Sequence, residues 1–199
     1  QSPLPITKLR DAGMSELMAD YVLYGVLHFY RSFDRYAAQQ VDAQWQPHPV
    51  EEKSQWPVGV LGLGAIGAHV AETLSHAGFP VSGWSRSPKQ IEGVNCLYGD
   101  EGLENILGHA KTLITLLPDT AETRGIINAA RLAQLPPGAS LINPGRGTLV
   151  DESALLKALD TPEGLRGAML DVFPEEPLPA DNPLWRHPRV TITPHMSAP

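Results

Sequence analysis

The segment Val58-Gly-Val-Leu-Gly-Leu-Gly-Ala-Ile-Gly67, continued by Ala68-His-Val-Ala-Glu-Thr-Leu74, constrains this chain more than any other. Val58, Val60, Leu61 and Leu63 read as a short buried strand. Gly62, Gly64 and Gly67 then give a G-x-G-x-x-G turn, and Ile66, Val70 and Leu74 carry helical spacing onward. Strand, glycine turn and helix in that order are what a dinucleotide site requires. Gly62 lets the chain reverse tightly, Gly64 leaves no Cβ between backbone and a pyrophosphate, and Gly67 lets helix and strand pack closely. Free amides at the helix start, around Ala65 and Ile66, face the phosphates, and the helix dipole favours their negative charge. With 18 glycines in 199 residues the spacing alone would be weak. Its flanking strand and helix are what give it weight.

Beyond this turn, strand-like runs alternate with helical ones. The strand candidates are Pro80 to Trp84, Val94 to Tyr98, Thr112 to Leu117, Ala139 to Asn143, Gly167 to Leu170 and Val190 to Thr193. The helical candidates are Leu103 to His109, Asn128 to Leu135 and Glu152 to Leu159, the last capped by Asp151. Such alternation predicts an α/β fold of the Rossmann type, a doubly wound parallel sheet with helices on both faces. Ahead of it, residues 1–13 read as a proline-rich lead-in. A helix is expected from Ser15, as N-cap, to about Tyr36, and then an extended arm and linker up to residue 57. Residues 58–199 form the nucleotide-binding domain. The apolar residues of the 15–36 helix do not keep to one face, so it must be covered on more than one side. A second copy of the chain is the expected cover, and a central core helix is the alternative.

A net charge of −7 argues against a nucleic-acid or anionic-membrane surface, so any anionic ligand must be held by a local cluster of cations and amides. The single cysteine, Cys96, excludes an internal disulfide and fits a reducing compartment, the cytoplasm. The longest apolar run, Tyr21 to Tyr30, is too short to span a bilayer. No metal site is expected. Because the chain starts at Gln1 without a methionine and stops at Pro199, it is expected to be part of a longer protein.

In a parallel α/β sheet the ligand lies beyond the carboxyl ends of the strands. After the second strand come Trp84, Ser85, Arg86, Ser87 and Lys89. Ser85 stands where an acid would meet a free ribose 2′-hydroxyl, and two cations and two hydroxyls suit a 2′-phosphate instead. NADP(H) is therefore the preferred coenzyme, with NAD(H) still admitted. After the fourth strand, Leu117 and Pro118 can form a wall beside the adenine, with Thr123 in the same turn. After the fifth, Pro144, Gly145, Arg146 and Gly147 place a lone guanidinium between glycines, ready to fork onto a carboxylate. After the sixth come Asp171 and the pair Glu175/Glu176, and after the seventh, Thr193-Pro-His195. Arginine, carboxylate and histidine at adjacent strand ends make an acid–base kit. Singly, each has an ordinary explanation in a solvated arginine, an acidic loop or a core histidine.

Together, Val58 to Gly67, Asn143-Pro-Gly-Arg-Gly, Leu170-Asp-Val-Phe-Pro-Glu-Glu-Pro and Thr193-Pro-His195 resemble the D-isomer-specific 2-hydroxyacid dehydrogenases. Trp84-Ser-Arg, Phe29-Tyr-Arg-Ser-Phe-Asp34 and the stretch from Pro183 to His195 resemble the branch that reduces glyoxylate and hydroxypyruvate. The resemblance implies that His195 is the general acid, Glu176 its partner, and Arg146 the binder of the substrate carboxylate. It implies that Asp171 meets the nicotinamide carboxamide. It also implies that the helix and arm form a homodimer, and that the substrate domain of such enzymes is largely absent from these residues. The fragment is then expected to bind coenzyme and turn over weakly. Two other functions on the same scaffold are a dinucleotide-sensing protein like the C-terminal-binding-protein co-repressors and an NAD-dependent phosphoglycerate dehydrogenase. The basic turn at Arg86 favours neither. In Asn143-Pro-Gly-Arg, proline and glycine replace the commoner residues before the arginine, which leaves the geometry of that loop for the structure to show.

Overall fold

The computed structural model describes residues 13–198, so the expected lead-in lies outside the described residues apart from Gly13. Seven parallel strands form one sheet: β1 (Val58–Leu61), β2 (Val81–Ser85), β3 (Val94–Tyr98), β4 (Thr112–Thr115), β5 (Ser140–Asn143), β6 (Gly167–Leu170) and β7 (Val190–Ile192). Their spatial order is β3-β2-β1-β4-β5-β6-β7, with every pairing parallel. The order reverses between β1 and β4, which makes a doubly wound sheet of the Rossmann type with its crevice at that point.

Each central strand is buried on both sides, and its residues divide by alternation. Val58, Val60, Ile114, Ile142 and Met169 face one cluster, which α1 (Met14–Tyr30) and α3 (Ala65–His76) complete. Leu61, Leu113, Leu141, Ala168 and Leu170 face the other, beneath α4 (Gly99–His109), α5 (Ala129–Leu132) and α6 (Glu152–Asp160). All seven expected strands are present, as are the helices expected after β1. The Asp151 carboxylate caps α6 by accepting from the Ala154 amide at 3.0 Å. α5 is shorter than expected because its end tightens into i→i+3 bonds, Gln134 to Arg131 and Leu135 to Leu132, and Pro136 keeps Leu135 from continuing the helix.

The helix expected from Ser15 to Tyr36 is two helices. α1 starts at Met14, with Gly13 as its N-cap, and Ser15 is buried in its first turn rather than capping it. The chain turns at Ser32, whose φ is +59°, and resumes as α2 (Phe33–Val41). Asp34, in the first turn of α2, accepts from Arg166 Nε at 2.7 Å and Nη2 at 2.5 Å, so the break is fixed by a fork on the residue before β6. α1 is a core helix of its own domain: Val22 and Val26 are fully buried and Phe29 nearly so. Gly25 lies over the sheet, where an added Cβ would come within 2.7 Å of Ile142 Cδ1. An outer stripe of Leu17 and Tyr24 stays exposed, together with Phe33 on α2. Beyond α2 the arm runs extended, fastened by Tyr30 donating to the Glu51 carbonyl and by the His48 amide donating to Tyr36, each within 2.9 Å. No described helix is long and apolar enough to cross a membrane.

Candidate active site

The glycine turn sits at the switch point. The Gly62 amide donates to the Trp84 carbonyl at 2.8 Å, and the Leu116 amide donates to the Leu61 carbonyl at 2.7 Å, which knits the ends of β2, β1 and β4 together. Gly62 has φ +108°, and a Cβ there would lie 2.6 Å from the Leu116 carbonyl oxygen. A Cβ on Gly67 would lie 1.8 Å from the Gly62 carbonyl oxygen. These two glycines are required by the protein itself. Gly64 is different: a Cβ there would meet nothing within 4 Å. It is exposed, it is the N-cap of α3, and no side chain caps that helix start at Ala65 and Ile66. A site that is open and lined by uncapped amides, with no side chain of its own, fits a pyrophosphate laid across it.

The loop after β2 is built around Ser85, whose buried hydroxyl donates to the Ser87 carbonyl at 2.7 Å. This closes a turn that leaves Arg86, Ser87 and Lys89 exposed. The Trp84 indole donates to the Gly99 carbonyl at 2.8 Å and packs beside Leu97, so the ring braces β3 and α4, and the backbone carbonyl is what joins the glycine turn. Across the crevice, Leu117 is buried and Pro118 exposed. Thr123 closes that turn by donating to the Pro118 carbonyl at 2.5 Å and accepting from the Thr120 amide at 2.9 Å. The positive field of Arg86 reaches this second loop. Hydrogen bonding to Thr120 is the main reason the Glu122 carboxyl sits below its ordinary range, and Arg86 adds to the effect.

Arg146 rides a loop with no room for side chains on either side. A Cβ on Gly145 would lie 2.6 Å from the Thr115 carbonyl oxygen, and one on Gly147 would lie 1.9 Å from the Phe173 carbonyl carbon. Asn143, buried at the end of β5, fastens the loop in three places. Its Oδ1 accepts from Thr115 at 2.7 Å and from the Gly145 amide at 3.2 Å, and its Nδ2 donates to the Arg146 carbonyl at 3.1 Å. Pro144 is buried between them. The guanidinium is exposed and donates to the Gly145 carbonyl at 2.6 Å. No described carboxylate lies within ion-pair distance of it.

Register aligns Asn143 with Leu170, and Leu170 with Ile192, so the loops carrying Arg146, Glu176 and His195 leave the sheet side by side. Glu176 precedes a cis peptide bond to Pro177. One of its oxygens accepts from the Phe173 amide at 2.9 Å, and the other lies 2.7 Å from His195 Nδ1. Burial works against its ionisation, but the hydrogen bonds to His195 and to the Phe173 amide outweigh it and hold the carboxyl below its ordinary range. An ionised acceptor on Nδ1 fixes the proton there and leaves Nε2 as the nitrogen that can serve a substrate. Asp171 is fully buried. Its Oδ1 accepts from the Thr193 hydroxyl at 2.5 Å and the Met196 amide at 2.9 Å, and its Oδ2 from the Ser197 amide at 2.9 Å. Burial opposes its charge and the donors from Ser197, Thr193 and Met196 prevail, so its carboxyl too lies below the ordinary range.

The expected residues thus lie at or just after the carboxyl ends of the strands; His195 and Glu176 are bonded directly, and the Trp84 ring turns away to α4. The fastening of the site loops by Asn143 and Thr193 was not foreseen; a buried amide ending a strand just before Pro-Gly-Arg-Gly was the visible signal for the first. The arrangement can hold a dinucleotide along the crevice, fork a guanidinium onto an anion, and deliver a proton from one oriented imidazole. Residues 23–197 match the family model described as D-isomer specific 2-hydroxyacid dehydrogenase, NAD binding domain. Glyoxylate/hydroxypyruvate reductase A of Salmonella paratyphi B is 49% identical over 195 residues, 98% of this chain. The chain spans 62% of the length of that relative. A D-isomer specific 2-hydroxyacid dehydrogenase of Xanthobacter autotrophicus Py2, solved with NADPH and MES, superposes with a TM-score of 0.94 at 43% identity, covering 100% of this chain and 81% of that one. The NADPH-dependent glyoxylate/hydroxypyruvate reductase of Sinorhizobium meliloti, solved with NADP and sulfate, gives 0.93 at 36% identity, covering 100% and 64%.

Proposed function

The chain belongs to the D-isomer specific 2-hydroxyacid dehydrogenase family, and we propose that it is the nucleotide-binding part of an NADPH-dependent reductase of small 2-oxo acids, of the glyoxylate or hydroxypyruvate kind. The observation that carries this reading is the hydrogen-bonded pair of His195 and Glu176 beside an unpaired Arg146, at the mouth of a sheet whose Gly64 is open to a ligand. The amides at Ala65 and Ile66 would take the pyrophosphate, and Arg86, with Ser87 and Lys89, the 2′-phosphate. Leu117 and Pro118 would flank the adenine. Asp171, at the end of β6 beside the loop that carries His195, would meet the nicotinamide carboxamide, as in the family it resembles.

The chemistry that NADPH would supply when held in the crevice is a hydride for the carbonyl carbon of the substrate. Arg146 holds the substrate carboxylate and draws electron density from the carbonyl beside it. His195 would give its Nε2 proton to the carbonyl oxygen while Nδ1–H stays on Glu176, so that the hydride would become the new C–H bond and the proton the O–H bond of the product. The reductases it resembles support the D-2-hydroxy acid as product.

The exposed stripe of Leu17, Tyr24 and Phe33, with Trp45 fully exposed on the arm, supports a homodimer through α1, α2 and the arm. One free cysteine supports the cytoplasm as its place of work. The division at residues 13 and 57 remains part of this proposal. The test is titration with NADPH and NADH, then a panel of 2-oxo acids followed at the nicotinamide absorbance. Tighter binding of NADPH and oxidation by glyoxylate or hydroxypyruvate are expected from the full-length protein, and weak turnover from these 199 residues alone. Binding without turnover by the full-length protein would favour a dinucleotide sensor, and preference for NADH with a phosphorylated acid would favour a phosphoglycerate dehydrogenase.

A further inference from the structure

Tyr21 stands on α1, far from the acid–base residues in sequence, yet its hydroxyl lies 2.8 Å from Thr193 Oγ1. Thr193 in turn donates to Asp171 Oδ1 at 2.5 Å. A threonine hydroxyl has one proton, so with that proton on the carboxylate, Thr193 must accept from Tyr21. The relay therefore has one direction, from Tyr21 to Thr193 to Asp171. Both ends enforce it. Burial pushes the Tyr21 phenol up and keeps it protonated, while the donors around Asp171 keep that carboxyl ionised.

The relay ends under one loop. Asp171 accepts from the side chain of Thr193 and the amides of Met196 and Ser197, and its backbone carbonyl accepts from the His195 amide at 2.9 Å. Four donors from residues 193–197 thus converge on a single residue. Inside that loop His195 itself has φ +52°, a left-handed conformation that costs a non-glycine residue about 1 kcal/mol or more. Surrounding bonds must hold it there. The imidazole ring is held separately, by Glu176 from the neighbouring loop. Ring and backbone of His195 therefore have different anchors, and the backbone anchor leads back to α1.

We propose that Tyr21 and Thr193 are positioning residues for the reduction, fixing through Asp171 the loop that aims His195 into the crevice. What His195 then does rests on the reductase reading above. Neither residue needs to touch coenzyme or substrate. The Tyr21 hydroxyl keeps Thr193 turned as a donor toward Asp171, and Thr193 ties the entry of the loop to the same carboxylate that receives its exit at Met196 and Ser197.

The test uses the full-length protein with Thr193→Val, which keeps the shape and removes the hydroxyl, Thr193→Ser, which restores it, and Tyr21→Phe. Coenzyme-free protein is read first, by long-range proton–nitrogen spectra of the imidazoles, with the His195 signals identified by their loss in His195→Gln. The expected result is displaced or broadened His195 signals in Thr193→Val and Tyr21→Phe, and the parent pattern in Thr193→Ser. In steady-state reduction, kcat should fall about tenfold or more in Thr193→Val and about threefold in Tyr21→Phe, with the KM for NADPH held within about twofold. Thr193→Ser should recover most of the rate. Parent-like His195 signals and kcat in Tyr21→Phe and Thr193→Val, with only a lowered melting temperature, would reduce the relay to a structural bond and overturn the proposal. Should Thr193→Val fail to fold, unchanged His195 signals in Tyr21→Phe would overturn it equally. A parent protein that reduces no 2-oxo acid would defeat the reductase reading, while the coenzyme-free spectra would still judge the relay.

Discussion

Gly64 is a glycine that the folded protein does not need for itself. Its neighbours Gly62 and Gly67 are held by contacts a Cβ would violate, whereas Gly64 faces open space. Gly64→Val should therefore leave the melting temperature nearly unchanged and raise the Kd for NADPH by at least about tenfold, some 1.4 kcal/mol, in a fluorescence titration. Equal loss of stability and of binding would mean that the glycine serves the turn alone. Arg86 carries the coenzyme preference in a separable way. It is exposed and set beyond a turn that the Ser85 hydroxyl closes, so truncating it disturbs no core. Arg86→Ala should weaken NADPH by about 10- to 100-fold, the worth of a charge-assisted hydrogen bond, and leave NADH within about twofold. A parallel loss for both coenzymes would move the 2′-phosphate contact elsewhere. The glycines, Arg86 and Arg146 were legible in the sequence because each follows a strand at a fixed spacing. Trp84, Ser85 and Thr123 were legible as neighbours of the site but not in their task, because a hydroxyl that closes its own turn looks the same in sequence as one offered to a ligand.

At the scale of elements, the strands announced themselves because burial on both faces leaves runs of apolar residues between turns. The break between α1 and α2 did not, since nothing from Tyr30 to Asp34 is a helix breaker. It is imposed from 132 residues away by the fork of Arg166 on Asp34, whose side chains keep only 10% and 20% of their exposure. That pair decides how α2 and the arm leave the sheet. Asp34→Ala should cost about 3 kcal/mol in urea unfolding, mainly by leaving a poorly solvated guanidinium without a partner. Adding Arg166→Met should recover much of that loss, because a neutral side chain of similar volume removes the stranded charge. A double variant no more stable than Asp34→Ala would show that the fork acts only through the shape of the junction. The inner face of α1 was equally hard to read: the same apolar residues that suggest a partner also suit a core helix, and the structure uses most of them inside its own fold. Only Leu17 and Tyr24 are left outward on α1.

For the molecule as a whole, two carboxylates at the active end couple site and stability through pH. Asp171 and Glu176 both sit below their ordinary range, so the folded state binds their protons less readily than the unfolded chain. By linkage, each contributes stability that is fully present above the unfolded carboxyl pKa of about 4 and is lost as pH falls through the lower folded value. Asp171 should dominate, because it is fully buried with three donors on its oxygens. Glu176 keeps 34% of its side-chain exposure, and solvent screens its contribution. Asp171→Asn replaces one acceptor by an NH2 group and leaves a backbone amide facing it, so some destabilisation persists at every pH. The remainder depends on the charge of the parent. The melting-temperature deficit of Asp171→Asn should therefore be largest between about pH 6 and pH 7 and shrink below about pH 4, as the parent loses its carboxylate. The deficit would stay constant across that range if the donors of residues 193–197 did not depend on an ionised Asp171, and the loop that presents His195 would then need another anchor.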